Sequence, residues 1–158
     1  MIDIRSRIGI SQQVNYKFYN GEGKLYYEHD TPKNTLTELM DVMVADAISG
    51  GADPLITHCG LGTGTGQTSA STNLAAVFAE DRTVVDSTTQ GAGAADNDVV
   101  IVTTFIAGVC TGNVEESGLF SDIDRTVADM KAYDDTISKA KGADDSLVLT
   151  WTLTFGAS

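Results

Sequence analysis

A glycine-rich run at residues 60–66, Gly-Leu-Gly-Thr-Gly-Thr-Gly, is the first feature of the sequence whose residue types could do chemistry. A phosphate-binding P-loop ends in Gly-Lys-Ser or Gly-Lys-Thr, because the lysine contacts the phosphates and the hydroxyl holds magnesium. Here Gly66 is followed by Gln67 and Thr68. A dinucleotide fingerprint requires Gly-x-Gly-x-x-Gly at the start of a helix, and this run reads Gly-x-Gly-x-Gly. We interpret it as a turn or backbone crossing where side chains do not fit.

The two histidines and two cysteines are the next candidates for catalysis or metal binding. His58 and Cys59 are adjacent, and neighbouring residues of a strand point to opposite faces, which argues against a thiol–imidazole pair. His29 ends a predicted strand and is expected to be exposed. Cys59 and Cys110 lack the spacing of a zinc site and lie in apolar segments, so we expect buried free thiols, with a disulfide as the alternative.

Adjacent carboxylates occur three times, at 115–116, 134–135 and 144–145. Acid–base pairs of glycosidases flank a scissile bond from separate segments, so we expect these adjacent pairs to be mostly solvated. No EF-hand loop is present, although Asp96-Asn97-Asp98 could contribute to a looser calcium site. The residues therefore predict a chain without catalytic residues, cofactor or metal.

The charge and length of the chain limit its partners. It carries 22 acidic and 10 basic residues among 158, a net charge of −12. Such an acidic chain should repel nucleic acid and anionic membranes. No apolar run approaches the length of a membrane span, and the first residues do not resemble a secretory signal. We expect one domain, made in a cytoplasm and staying soluble, with neither nucleic acid nor membrane as a partner.

Two aromatic-rich runs near the start predict a β-hairpin. Residues 14–19 and 24–29 flank Asn20-Gly21-Glu22-Gly23, a loop whose length and second glycine favour a bulged turn. Residues 1–13 have no place in this pattern. We therefore predict an N-terminal arm over residues 1–13 and a single β-rich domain over residues 14–158.

One amphipathic helix is predicted after the hairpin. Apolar residues recur there at helical spacing and form one continuous face: Leu36, Leu39, Met40, Met43, Val44, Ala47 and Ile48. Thr35 and Glu38 have the spacing of a capping box, and Gly50-Gly51 provides the left-handed residue that ends helices. We expect a helix from about Thr35 to Ser49, with its apolar stripe packed on a sheet.

The rest of the chain is rich in β-strand patterns, at residues 55–59, 82–86, 98–106 and 146–155. In the last segment, Leu147, Leu149 and Trp151 begin an alternation that predicts one buried face. Residues 123–140 fit either a helix or a strand and turn. The predicted fold is mainly β, an antiparallel β-sandwich or jelly-roll-like domain with one amphipathic helix packed on it.

Three segments, taken in order, resemble a group of tailed-phage virion proteins that includes capsid decoration proteins and tail-fibre-like modules. They are ITHCGLGTGT at 56–65, TFIAG and GNVEESGLF at 104–108 and 112–120, and KGADDSLVLTWTLTF at 141–155. The resemblance covers roughly residues 34–155 and favours a strand around residues 130–133. An acidic insert around residues 122–129 and the thiol of Cys59 depart from the group's pattern.

The resemblance implies a structural role in the virion, without catalytic residues. It favours a head decoration, or cement, protein that binds and stabilises the capsid lattice; the alternative is a tail, neck or fibre component. A carbohydrate- or calcium-binding module is a further alternative. The expected partners are the major capsid protein or other virion proteins, together with copies of the same chain. Symmetric closure favours a homo-oligomer, with a trimer preferred.

The arm carries the residues that we predict to make assembly contacts. Ile2, Ile4, Ile8 and Ile10 lie at alternate positions, and Arg5 and Arg7 are basic in an acidic chain. Alternating apolar residues suit strand addition to the sheet edge of a neighbouring subunit. A frayed terminus without a partner is the alternative.

Overall fold

The computed structural model describes residues 9–32, 36–52 and 54–156, and antiparallel strands dominate them. The first elements are β1 (Gly9–Tyr19), β2 (Leu25–Asp30), α1 (Glu38–Ser49), β3 (His58–Gly62), β4 (Thr83–Val84) and β5 (Ser87–Gln90). A short 3-10 turn leads on to β6 (Asp98–Phe105), β7 (Gly112–Val114), β8 (Glu116–Phe120), β9 (Ala132–Asp134), β10 (Lys139–Lys141) and β11 (Ser146–Gly156). The prediction of a mainly β domain with one helix is confirmed.

A five-stranded antiparallel sheet, here called the large sheet, has the order β2-β1-β11-β6-β5. Its first and last strands along the chain, β1 and β11, pair from Gly9–Gly156 to Tyr19–Ser146. Alternate residues of the three central strands form its buried face: Val14, Tyr16, Phe18, Ile101, Thr103, Phe105, Leu147, Leu149, Trp151 and Leu153. This alternation confirms the face predicted for the last strand.

A four-stranded antiparallel sheet, here called the small sheet, has the order β4-β3-β8-β9, and β7 pairs separately with β10. Its inner face meets the large sheet, where the hydroxyls of Ser117 and Tyr16 lie 2.6 Å apart. On its outer face Phe120 packs with Leu74 and Met130. Every residue of β8 is therefore buried, because irregular segments cover the side of the sheet that a simple sandwich leaves to solvent.

The helix begins later than the sequence predicted, and only its first half is packed. Its N-cap is Thr37, which makes no side-chain capping bond because its hydroxyl donates to the carbonyl of Met130 at 2.6 Å. The N-cap is therefore two residues after the predicted Thr35, which lies outside the described residues. Gly50 ends the helix in the left-handed conformation, as predicted. Met40 is fully buried, but Ile48 is 76% exposed, so the apolar stripe is only partly covered.

Two further predictions change in detail. The predicted arm of residues 1–13 extends too far, because β1 begins at Gly9 and Gln12 is buried within the sheet. The strand predicted at residues 55–59 is instead β3, at His58–Gly62. In the region left open between helix and strand, β9 and most of β10 form strands. The hairpin is confirmed, with a register shift between Phe18 and Tyr19.

Candidate assembly surface

His58 and Cys59 follow each other at the start of β3, and their side chains lie on opposite faces of the small sheet. Cys59 is fully buried between the sheets, and burial raises the pKa of its thiol to about 12. The indole of Trp151 and the hydroxyl of Thr103 face this sulfur and oppose the rise of its pKa. Neither polar group has a partner at ordinary hydrogen-bond geometry. The thiol belongs to the core.

His58 lies on the outer side, and its hydrogen bond fixes its tautomer. The hydroxyl of Thr57 donates to the carbonyl of Ser121 at 3.0 Å, so its oxygen accepts the Nδ1–H of His58 at 2.8 Å. Neutral His58 therefore keeps Nε2 as an acceptor. Burial lowers the pKa of His58, with nearby aspartates opposing that shift.

Cys110 is the second buried free thiol, which confirms the prediction that the two cysteines do not pair. Burial raises the pKa of Cys110 to about 12, and Glu80 adds to that rise. Its backbone has a φ of 49° and its N–H donates to the Glu80 carboxylate at 3.2 Å. Lys141, whose pKa is lowered by burial, lies close to this thiol and donates to the carbonyl of Ile106 at 3.1 Å.

Two of the paired carboxylates are fully buried, which corrects the expectation that these pairs lie mostly in solvent. Asp134 accepts hydrogen bonds from the Tyr16 hydroxyl at 2.7 Å and from Thr136 at 2.8 Å. Burial, followed by the charge of Asp134, raises the pKa of Tyr16 well above its usual range. Glu116 is also fully buried. Sequence reasoning missed both, because adjacent acidic residues give no indication of which one faces inward.

The carboxylate of Glu116 organises the glycine-rich segment. One oxygen accepts the backbone N–H of Gly64 at 3.1 Å and of Ala76 at 2.8 Å. The other accepts the side-chain amide of Gln67 at 2.6 Å and the backbone N–H of Ala75 at 3.0 Å. A Cβ on Gly64 would lie 2.9 Å from this carboxylate. The run is therefore a close backbone approach to a buried side chain, in agreement with the interpretation from sequence.

Arg82 is a second buried polar centre that the sequence did not reveal. Its guanidinium lies 3.5 Å from the ring centre of Phe120 and pairs with Asp129 at 2.8 Å. It also donates to the carbonyls of Asp122 and Val127, at 3.0 and 2.5 Å. Burial lowers the pKa of Arg82, although the nearby aspartates oppose this. The acidic insert around residues 122–129 is thus a loop built around one arginine.

Beside Arg82 lies a cavity of about 10 Å³, lined in part by Leu61, Leu74 and Cys110. This volume holds about one water molecule, whereas ligand pockets usually measure roughly 300–1,000 Å³. In the described part of the chain, no three His, Cys, Asp or Glu side chains are grouped so as to hold a metal ion. Among the same residues, no helix has the length and apolarity of a membrane span.

Three exposed aliphatic side chains lie on joined segments at one end of the small sheet, and we call them the aliphatic patch: Leu55, Val84 and Ile123, exposed by 65, 61 and 56%. Val84 pairs with His58 across the β3–β4 ladder. The N–H of Arg82 donates to the carbonyl of Ile123 at 3.0 Å. The hydroxyl of Ser121 donates to the carbonyl of Pro54 at 2.8 Å, next to Leu55.

Acidic residues flank the aliphatic patch. Asp81, Asp122 and Asp124 are exposed beside its segments. Of the two arginines nearby, Arg82 is engaged beneath the surface and Arg125 is partly exposed. The patch is therefore an apolar surface with a mainly acidic border.

Of the predicted assembly residues, only Ile10 lies within the described part of the chain. It belongs to β1, pairs with Phe155 and packs partly against the core, so it is a sheet residue as well as a candidate contact. Ile2, Ile4, Arg5, Arg7 and Ile8 lie outside the described residues. The prediction of their assembly role stays a prediction.

Comparison with known proteins gives no relative for this chain. No protein-family model matches it, and neither the curated proteins nor the solved structures contain a significant match.

Proposed function

We propose that this chain is a structural protein of a tailed-phage particle, and specifically a head decoration protein that binds the capsid lattice and stabilises it. The observation that supports the proposal is the way in which the three phage-like segments fit together. Residues 56–65 include β3, residues 112–120 include β7 and β8, and residues 141–155 include most of β11. The three segments occur in the same order as in the protein group that they resemble, and they are also direct neighbours in space.

The first and second segments are in direct contact, and their residue types fit each other. β3 pairs with β8 from His58–Phe120 to Gly62–Glu116. The second segment provides the carboxylate of Glu116, and the first provides Gly64. A side chain at Gly64 would block the approach of this carboxylate, since its Cβ would lie 2.9 Å from the carboxylate oxygen. The glycine run and the Glu-Ser-Gly-Leu-Phe sequence therefore act as two halves of one arrangement.

The outer face of the large sheet suits contact with a lattice. Alternate residues of β6 and β11 form a partly exposed band without charge: Val100, Val102, Thr104, Val148, Thr150 and Thr152. Such a neutral band is unusual on a chain of net charge −12. Charged groups lie at its edges, because Lys17 pairs with Val148 and Thr104 donates to the Asp86 carboxylate at 2.7 Å. A contact confined to the band itself requires little desolvation of charged groups, which is the costly part of forming an interface.

The proposal is tested by adding the purified protein to particles that lack it. We expect co-sedimentation with heads at hundreds of copies per particle, and a higher temperature for head disruption. A variant lacking residues 1–8 should remain folded, because β1 begins at Gly9, and should bind heads more weakly if the arm contributes contacts.

The copy number separates head decoration from the alternative. Binding of a few to tens of copies would identify a tail, neck or fibre component instead. Failure to bind either heads or tails would refute the proposal. Thr150→Glu and Thr152→Glu place charges on the neutral band and should weaken binding, whereas Gln90→Glu, on the exposed edge strand β5, is a matched control.

A further inference from the structure

We propose that residues 1–8 of one copy dock on the aliphatic patch of a neighbouring copy, so that the chain forms its own assembly contact. This inference rests on the proposed assembly role, and names the partner surface of the arm. The patch is the exposed end of the small sheet formed by Leu55, Val84 and Ile123, beside the partly buried His58. It is apolar at its centre and acidic at its border.

The segment that precedes β1 has the complementary composition. Its sequence is Met-Ile-Asp-Ile-Arg-Ser-Arg-Ile, with Ile2, Ile4 and Ile8 at even positions. Arg5 and Arg7 outnumber its single aspartate, so it is basic in a chain of net charge −12. Alternating isoleucines provide one apolar side when a chain is extended.

The border of the patch provides the charges that the arginines need. Asp122 and Asp124 are exposed next to Ile123, and Asp81 precedes Arg82. Arg82 itself is bound to Asp129 and to loop carbonyls, so its charge is already neutralised beneath the surface. A docked arginine therefore meets a border where exposed carboxylates outnumber the partly exposed Arg125, whereas an acidic partner would be repelled.

The geometry favours a neighbouring copy over the chain's own patch. Gly9 pairs with Gly156, while the segment that follows Val84 meets the large sheet where the backbone N–H of Asp86 donates to the carbonyl of Val102. Val102 pairs with Thr150, so these two points lie six residues, about 20 Å, apart along β11, and further across two strands. Eight extended residues reach only about 26 Å, so folding back would need nearly all of that length.

The contact surface is also held in place before binding. Ile123 is fixed by the hydrogen bond from Arg82, and Val84 by its pairing with β3. Pre-organised surfaces lose little conformational entropy when a partner binds, so a short segment can bind them with useful affinity.

The test uses a labelled peptide of residues 1–8 and the full protein lacking residues 1–8, with binding followed by fluorescence anisotropy. We expect saturable binding that weakens at least tenfold in Leu55→Glu/Ile123→Glu, two exposed positions whose change should not unfold the protein. Ile106→Glu is the matched control, since Ile106 is 62% exposed and lies near the 141–145 turn. A peptide of scrambled sequence controls for composition.

A charge exchange tests whether the contact is direct. Arg5→Glu/Arg7→Glu in the peptide should weaken binding at least fivefold, and Asp122→Lys/Asp124→Lys in the protein should restore it. Raised salt should weaken only the native pair and the restored pair. This inference would be overturned if the peptide does not bind, or if its affinity is unchanged in both Leu55→Glu/Ile123→Glu and Asp122→Lys/Asp124→Lys.

The outcomes separate this inference from the proposed function. Co-sedimentation with heads that persists without peptide binding would leave the decoration role intact and remove the arm contact. Peptide binding without co-sedimentation would show self-assembly by a protein that is not a head component. Capture of the peptide by a capsid protein, rather than by the patch, would also overturn the inference.

Discussion

Replacing Glu116 should be one of the most damaging single changes on the small sheet, although the residue has no catalytic role. Its carboxylate accepts four hydrogen bonds, three from backbone N–H groups and one from an amide side chain. Glu116→Ala removes all four acceptor contacts and leaves a space under the segment that covers the sheet. The donors then lose their acceptor, and each must bind water or remain without a hydrogen bond.

The expected cost follows from these contacts. A hydrogen bond to a charged group contributes roughly 1.5–3 kcal/mol, and an unsatisfied buried donor costs about 1–3 kcal/mol. Four such contacts would give an upper limit of about 12 kcal/mol if the segment stayed fixed, but its donors are only partly buried and can gain water. We therefore expect Glu116→Ala to lower the free energy of unfolding by about 3–5 kcal/mol. Glu116→Gln should cost about 2–3 kcal/mol, since its amide N–H₂ would face two donors.

The measurement is a urea titration followed by the fluorescence of Trp151, the single tryptophan, which is fully buried. Glu115→Ala is the matched control, because the neighbouring carboxylate is partly exposed and accepts hydrogen bonds from Ser138 and Asn113; it should cost less than about 1 kcal/mol. Amide hydrogen exchange should accelerate at Ala75 and Ala76 in the Glu116 variants. Equal costs for Glu115→Ala and Glu116→Ala would refute the assignment.

Three other predictions follow from the buried groups. Trp151→Ala should cost about 3–5 kcal/mol as a large-to-small core change, and a cost below about 1 kcal/mol would contradict its burial. Cys59 and Cys110, with pKa values raised by burial to about 12, should react with iodoacetamide at about pH 8 only as fast as the protein unfolds; rapid labelling of either would contradict their placement. Because burial lowers the folded-state pKa of His58 below an unfolded value near 6.5, its contribution is complete above that pH and is lost as pH falls through the folded pKa. The urea concentration at the unfolding midpoint should therefore fall more between about pH 7.5 and 5.0 in the wild type than in His58→Gln.

The regular elements could be predicted from the sequence because their patterns are local. Alternation along residues 146–155 and the β-branched run at 98–106 indicate strands whatever surrounds them. The end of the helix at Gly50 could also be predicted, because a left-handed residue is a local requirement. The start could not, because Thr37 uses its hydroxyl on Met130, a partner 93 residues away.

The irregular segments that cover the outer face of the small sheet could not be predicted, because contacts between residues distant in sequence fix their conformation. Nothing in the local sequence of Arg82 distinguishes it from a solvated arginine, yet Asp129 and the loop carbonyls lie 40 to 47 residues further along the chain. Asp134 and Tyr16 are likewise separated by 118 residues. The extent of β1 was missed for the same reason, because Gly9–Gln13 depends on pairing with the last strand.

These polar centres bear on the proposed assembly role. A loop without regular structure usually carries high conformational freedom, and ordering it during binding costs roughly 1–2 kcal/mol per residue. Here the hydrogen bonds of Arg82 fix the backbone at Asp122 and Val127 within the folded monomer, and its N–H holds Ile123. Much of the ordering of this end of the small sheet is thus completed during folding. An exposed aliphatic surface held by a buried arginine needs little rearrangement when a partner binds, which would suit the contact between copies that we propose.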